Sequence, residues 1–206
     1  RQSFRQNLLA QLADSNSIAW GHQFIDYKEM SDGSITIQFL VDGEIKSTMT
    51  DMVVGADGIR SRVRSLLLGE ETKPLRYLNC IVILGICYLD DLHDVNSPLL
   101  DGRTVFQTAN GQDRIYMMPY ADNAVMWQLS CPMSEDEAKE LSAKGAEALK
   151  EEAIKRVQWH TPIPQIVAAT AAAYVTGYPV YDREILHVEL EQKSSNITLA
   201  SPGRIL

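Results

Sequence analysis

The chain has no long apolar run, no paired cysteines, no metal-type histidine spacing and no excess of positive charge. Each absence excludes a class of protein. The longest apolar stretch, "IVILGICYL" (Ile81 to Leu89), is far shorter than the ~20 residues that span a bilayer, so no transmembrane segment is expected. Lys and Arg number 19 against 27 Asp and Glu, a net charge of -8, which argues against nucleic acid held on a broad basic face. A small anion held by a few local arginines stays open. His22, His93, His160 and His187 are scattered, without HxxxH or HExxH spacing, so no protein-bound metal is expected. Cys80, Cys87 and Cys131 are odd in number and form no CxxC pair; they read as buried, reduced thiols, and the expected location is cytoplasmic. No signal-peptide pattern is visible, although a chain beginning at Arg1 rather than Met leaves a targeting segment open.

What is present is ordinary soluble material. The 206 residues are 45% hydrophobic and 22% charged, enough for one large domain or two modest ones. Leu8, Leu9 and Leu12 fall at helical spacing within Arg5–Asp14, and strands are expected over Ile18–Tyr27, Ile35–Val41 and Glu44–Met49, separated by Ser31-Asp32-Gly33 and Asp42-Gly43. "MVVG" (Met52–Gly55) reads as a short strand buried on both faces. A helix follows from about Ile59, with Ile59, Val63, Leu66 and Leu67 on one stripe and Gly69 as a stop. From Leu75 the texture changes to β segments at Tyr77–Leu89, Arg103–Thr108, Arg114–Met118 and Ala124–Cys131, which predict an antiparallel sheet. Ser134 and Glu137 form a capping box opening one long polar helix to about Trp159. Pro162 and Pro164 start an alanine-rich helix, and the chain returns through "GYPVYDRE" (Gly177–Glu184) to a last strand, "NITLA" (Asn196–Ala200). The fold class is α/β, of mixed α+β character.

The stretch with most chemical content is "DMVVGADGIRSRVR" (Asp51–Arg64), where an aspartate stands at a strand-to-helix turn ahead of several arginines. Gly55 and Gly58 permit close backbone approach to a ligand, and the helix behind them offers free N–H groups. A carboxylate repels a phosphate, so Asp57 suits a ribose or ribityl hydroxyl, or the turn's own N–H groups. Arg60 and Arg64 would share one helical face, with Arg62 pointing elsewhere. The alternative is that Asp57 is only an N-cap and the arginines a solvated face.

The same stretch resembles the D-x-x-V-G-A-D-G…S-x-V-R signature of the flavin-dependent aromatic hydroxylases, single-component FAD monooxygenases that use NAD(P)H and dioxygen. Asp51, Val54, Gly55, Ala56, Asp57, Gly58, Ser61, Val63 and Arg64 all match it. The resemblance implies that Asp57 and Gly58 contact FAD, with Arg64 beside them, and that the aspartate-glycine turn also serves the nicotinamide cofactor. "RQSFRQNLLAQL" resembles the family segment whose arginine reaches the FAD, a role that falls to Arg1, with Gln2 a weaker candidate. "RIYMMPYADNAVMWQLSCP" resembles the sheet that roofs the flavin ring, so Tyr116, Tyr120, Trp127 and Gln128 are candidates for that roof or for plain core. Two family motifs have no counterpart: no GxGxxG occurs, and "SPGRIL" (Ser201–Leu206) stands where a Gly-Asp turn is expected. The sequence therefore reads as an internal fragment of such an enzyme, one expected to hold FAD weakly.

The implied organisation is a partial FAD-binding, Rossmann-like lobe from residues 1–74 with 184–206, and a substrate domain over 75–183. The implied activity is hydroxylation of an aromatic or similar small organic substrate, with FAD as cofactor, NAD(P)H as electron donor and O2 as co-substrate. No catalytic base is assigned. Two rivals are a related flavoprotein reductase or epoxidase acting on a lipid-like substrate, and a non-catalytic fragment with at most a protein-binding role.

Overall fold

The computed structural model describes residues 2–12, 18–69, 74–93, 95–121 and 123–184. They fall into two compact units: the residues up to Pro74 together with those from Arg183 onward, and Leu75–Asp182. The expected last strand at Asn196–Ala200 and the "SPGRIL" stretch lie outside the described residues.

The first unit holds helix α1 (Gln2–Ala10), strands β1 (Gln23–Glu29), β2 (Ile35–Val41) and β3 (Glu44–Thr50), and helix α2 (Arg62–Leu68). The strands form an antiparallel sheet in the order β1-β2-β3. β2 matches the range expected from its alternation, because burying Ile35, Ile37 and Val41 on one face fixes its register. Asp42 and Gly43 both take positive φ (52° and 84°), the geometry that a two-residue hairpin turn requires. β1 begins at Gln23 rather than Ile18, since its ladder ends where Gln23 pairs with Leu40 of the seven-residue β2. Ile35, Ile37, Val53 and Val63 form a small core, with Phe24, Tyr27, Phe39 and Leu67 packed on it. Helix α1 forms earlier than its spacing predicts and ends at Ala10, leaving Leu12 in the turn that follows; Phe4, Leu8 and Leu12 are exposed, so this apolar stripe covers no core among the described residues.

The second unit is a five-stranded antiparallel sheet in the order β5-β6-β7-β4-β8. Its strands are β4 (Arg76–Tyr88), β5 (Phe106–Ala109), β6 (Arg114–Pro119), β7 (Ala124–Pro132) and β8 (Val175–Asp182). β5 starts later than expected because the Asp101 carboxylate accepts the backbone N–H groups of Arg103 and Thr104 and folds them into a turn. The Ser134–Glu137 capping box is present. The single long helix expected behind it is two helices, α3 (Glu135–Lys144) and α4 (Ala146–Arg156), divided at Gly145 with φ 91°. That left-handed backbone ends one helix and begins the next. Helix α5 (Ile163–Ala169) starts within the proline pair, with Pro162 at its N-cap and Pro164 in its first turn.

Helices α3, α4 and α5 pack on one face of this sheet. Ala138, Leu149, Ala153, Ile163, Ile166 and Val167 meet Ile81, Ile83, Ile115, Met117, Trp127 and Leu129 in one fully buried cluster. Trp127 is at its centre: its indole N–H donates to the buried Thr170 hydroxyl at 2.9 Å, and its ring lies over Gly85. A Cβ at Gly85 would stand 2.4 Å from that ring, so only glycine lets β4 approach it. At the other end Arg76 makes a two-pronged ion pair with Asp182 (2.9 and 2.7 Å), joining the start of β4 to the end of β8. "GYPVYDRE" thus falls largely within the edge strand β8. No helix among the described residues is long and apolar enough to cross a membrane.

Candidate functional site

The segment Asp51–Ser61 carries the site. Only Val53 of "MVVG" is buried and makes a strand bridge; Met52 and Val54 are 48% and 62% exposed. The expected strand buried on both faces is not formed, because no ladder flanks it beyond that single bridge among the described residues. One cleft, of about 350 Å³, lies between Phe24, Ile37 and Phe39 and the stretch Met52–Asp57.

Asp57 is the hub of the turn. Gly58 follows it with φ 81°, and the Ser61 N–H closes the turn on the Gly58 carbonyl at 3.0 Å. Because this left-handed residue and the turn at Ile59–Arg60 interrupt the chain, the helix starts at Arg62 rather than near Ile59. Ser61, not Asp57, is its N-cap, accepting the Arg64 N–H at 3.0 Å. Asp57 reinforces the cap from one step further back. Its Oδ1 accepts the Ser61 hydroxyl, and its Oδ2 accepts the N–H groups of Arg62 (2.7 Å) and Val63 (3.2 Å). Burial pushes the Asp57 carboxyl up, but the Ser61 bond and the backbone bonds from Val63 and Arg62 outweigh it and hold the group below the ordinary carboxylate value.

The arginines separate into different roles. Arg60 precedes the helix, so it does not share a helical face with Arg64. Arg62 reaches β1, where its Nε donates to the Ile25 carbonyl at 3.2 Å. Arg64 is half-buried, and burial together with the neighbouring Arg183 charge lowers its guanidinium pKa. Arg183 in turn donates to the Ile59 carbonyl at 2.8 Å. Two like charges therefore stand beside the Asp57 turn. Arg183 is far away in sequence and belongs to no motif, so only the folded chain brings it here. Arg1, the remaining candidate, lies outside the described residues.

In the second unit the roof candidates divide by strand register. Trp127 points into the helix-covered core, while Tyr116 and Gln128 pair across β6 and β7 on the opposite, open face. Tyr120 lies in the turn after β6 and is partly exposed. Among the described residues no cluster of His, Cys, Asp and Glu could hold a metal ion. All three cysteines are free thiols, and burial pushes Cys131 up to about 12.

No protein-family profile matches the chain. It is 26% identical over 179 residues to the aurachin C monooxygenase/isomerase of Stigmatella aurantiaca, covering 86% of this chain and 42% of that protein. The chain thus spans less than half the length of the curated relative it matches. Among solved structures, a protein of Photorhabdus luminescens described as an FAD-containing monooxygenase superimposes with TM-score 0.72 at 21% identity, covering 89% of this chain and 52% of that one. Klebsiella pneumoniae HpxO, solved with FAD and uric acid, gives TM-score 0.70 at 19% identity, covering 89% and 43%.

Proposed function

We propose that this chain, which has the fold of the FAD-dependent monooxygenases, supplies such an enzyme with the Asp57 turn of its FAD site and the sheet of its substrate domain. On this reading the FAD-binding lobe is residues 1–74 with 183–206, one residue more than the sequence implies because Arg183 falls in the first unit, and residues 75–182 face the substrate. Bound FAD, reduced by NAD(P)H, would supply the redox chemistry that moves an oxygen atom from O2 to a small organic substrate. The uric acid bound by HpxO supports a ring compound as that substrate.

The observation that carries this reading is the pairing of Arg64 with Arg183 beside a turn whose backbone is held open. Burial first and the Arg183 charge second lower the Arg64 guanidinium pKa, and a dinucleotide's pyrophosphate beside Arg64 would favour its charged form. Space for it exists at Gly58, where an added Cβ would meet nothing within 4 Å. With three donors already on its carboxylate, Asp57 acts first by shaping the turn. On this reading Oδ1 also accepts from a ribityl or ribose hydroxyl. Gly58 would contribute backbone, and Arg1 enters by resemblance alone.

Titrating the purified chain with FAD while following flavin fluorescence tests the reading. Arg64→Ala should raise the Kd by tenfold or more, the loss of one charge-assisted hydrogen bond of ~1.5–3 kcal/mol. Equal affinity in the two proteins, or no saturable binding to either, would remove it.

A further inference from the structure

The second unit covers only one face of its sheet. All the core-forming helix residues lie on the side of Ile81, Ile83, Trp127 and Leu129; on the other side, among the described residues, Val82 and Ala124 are buried while Leu84, Ile86, Met118 and Met126 are only half-buried. On that open face the side chains form cross-strand rows fixed by register. Arg114 pairs with Ser130, which pairs in turn with Val82; next come Tyr116, Gln128 and Leu84; then Met118, Met126 and Ile86; then Tyr88 beside Tyr174. The rows are graded. Along β6 and β7 a cation and a hydroxyl stand at one end, hydrogen-bonding groups in the middle and thioethers toward the other, with Val82, Leu84, Ile86 and then Tyr88 flanking them on β4. From the Arg114 row to the Met118 row the distance is ~13 Å, at 3.2–3.4 Å per strand residue, and the tyrosines lie beyond it.

The charge distribution adds to this. The chain carries 27 acidic residues and a net charge of -8, yet no Asp or Glu stands among the paired open-face positions of β4, β6 and β7. A face of half-buried apolar side chains with the Arg114 cation beside it has the character of a ligand surface.

We propose that this face takes an aromatic acid bearing an apolar tail, its acidic head at Arg114 and its tail lying over Met118, Met126 and Ile86 toward Tyr88. This rests on the reading of residues 75–183 as a substrate domain and narrows its substrate class from small aromatic compounds to chain-bearing ones. Tyr116, whose hydroxyl leans on the Met118 sulfur at 3.6 Å, and Gln128 sit where the ring would lie.

The test measures binding of benzoate and its 4-butyl, 4-hexyl and 4-octyl derivatives to the purified chain by isothermal titration calorimetry. Affinity should rise roughly two- to fourfold per added methylene until the tail reaches the tyrosines. Arg114→Gln should weaken every member of the series by a similar factor, about tenfold, leaving the chain-length slope unchanged. Met126→Lys should abolish the slope while leaving unsubstituted benzoate unaffected; Met118→Lys provides the same readout if that variant fails to fold. Affinity independent of chain length, or a slope that survives in the folded lysine variants, would overturn the proposal. An FAD titration run in parallel separates the two levels: flavin binding without a chain-length slope defeats only this inference, and a slope without flavin binding defeats only the monooxygenase reading.

Discussion

Both units must cover one face of an antiparallel sheet, and they do so with different amounts of material. The five-stranded sheet has three helices on it and a continuous core in which Trp127, Ile81, Ile83, Ile115, Met117 and Leu129 are fully buried. The three-stranded sheet has one seven-residue helix and the single inward side chain of Val53, and its buried core is four residues. Apolar side chains left over there, such as Ile45, Met49 and Val54, are all more than 60% exposed. The difference shows where stability resides. The second unit stabilises itself by burial. The first has little to hold it among the described residues besides polar ties, of which the Asp57 hub is the densest, and segments of that kind open at low free energy.

The sharpest way to break the contrast is to cut into the larger core. Trp127→Ala should cost about 3–5 kcal/mol, seen as a fall in the urea midpoint with the loss confined by hydrogen exchange to Leu75–Asp182. If amides of β1–β3 lose protection to the same degree, the two units do not unfold separately and the contrast fails. In the smaller core, Val63→Ala should cost roughly 1–2 kcal/mol, the transfer value of the lost methyl groups with little cavity penalty where surroundings are shallow. A cost equal to that of Trp127→Ala would mean the first unit is better packed than its exposure suggests.

Asp57→Ala comes next, at about 1 kcal/mol, with faster exchange at Arg62 and Val63 as its signature. Its pH dependence has a definite sign. The folded-state carboxyl lies below its unfolded value near 4, so its contribution is complete above that value and fades as pH falls through the folded one. The gap between wild type and variant should therefore close at low pH, and a gap persisting at pH 2 would assign the effect to packing instead. Smallest is Arg76→Ala. Its ion pair with Asp182 is well formed but largely solvated, so a loss of about 0.2–1 kcal/mol in urea unfolding is expected.

How much of this was legible beforehand depends on the range of the interaction concerned. β2, the Asp42-Gly43 hairpin and the Ser134 capping box were readable because each is set by residues within a few positions of one another. Gly145 stood in plain view inside a Glu-, Ala- and Lys-rich run, but one glycine is compatible with a continuing helix; its left-handed φ is a tertiary outcome. "MVVG" has strand composition, yet a strand exists only where a neighbour offers a ladder, and composition does not supply one. At the site, the Asp57-Gly58 turn is visible as a motif, but the motif alone places the cap at Asp57, four residues ahead of Ser61. Ser61, a strong capping residue ahead of the true helix start, was the available signal. Arg183 had none. The open face of the five-stranded sheet was half legible: alternation predicts two faces, but only the placement of α3–α5 decides which one they leave bare.

That bare face also sets how the protein will react with electrophiles. Cys131 and Cys87 point into the helix-covered core, where burial raises both thiols, so neither offers appreciable thiolate at neutral pH. Cys80 is less buried, and although burial raises it too, the Arg114 charge draws it partly back. By β4 register it shares the side of Val82 and Leu84. A maleimide should therefore attach once per chain, slowly, at Cys80. An unmutated protein would then carry a single fluorophore or spin label next to Arg114, placed to report on whatever settles there.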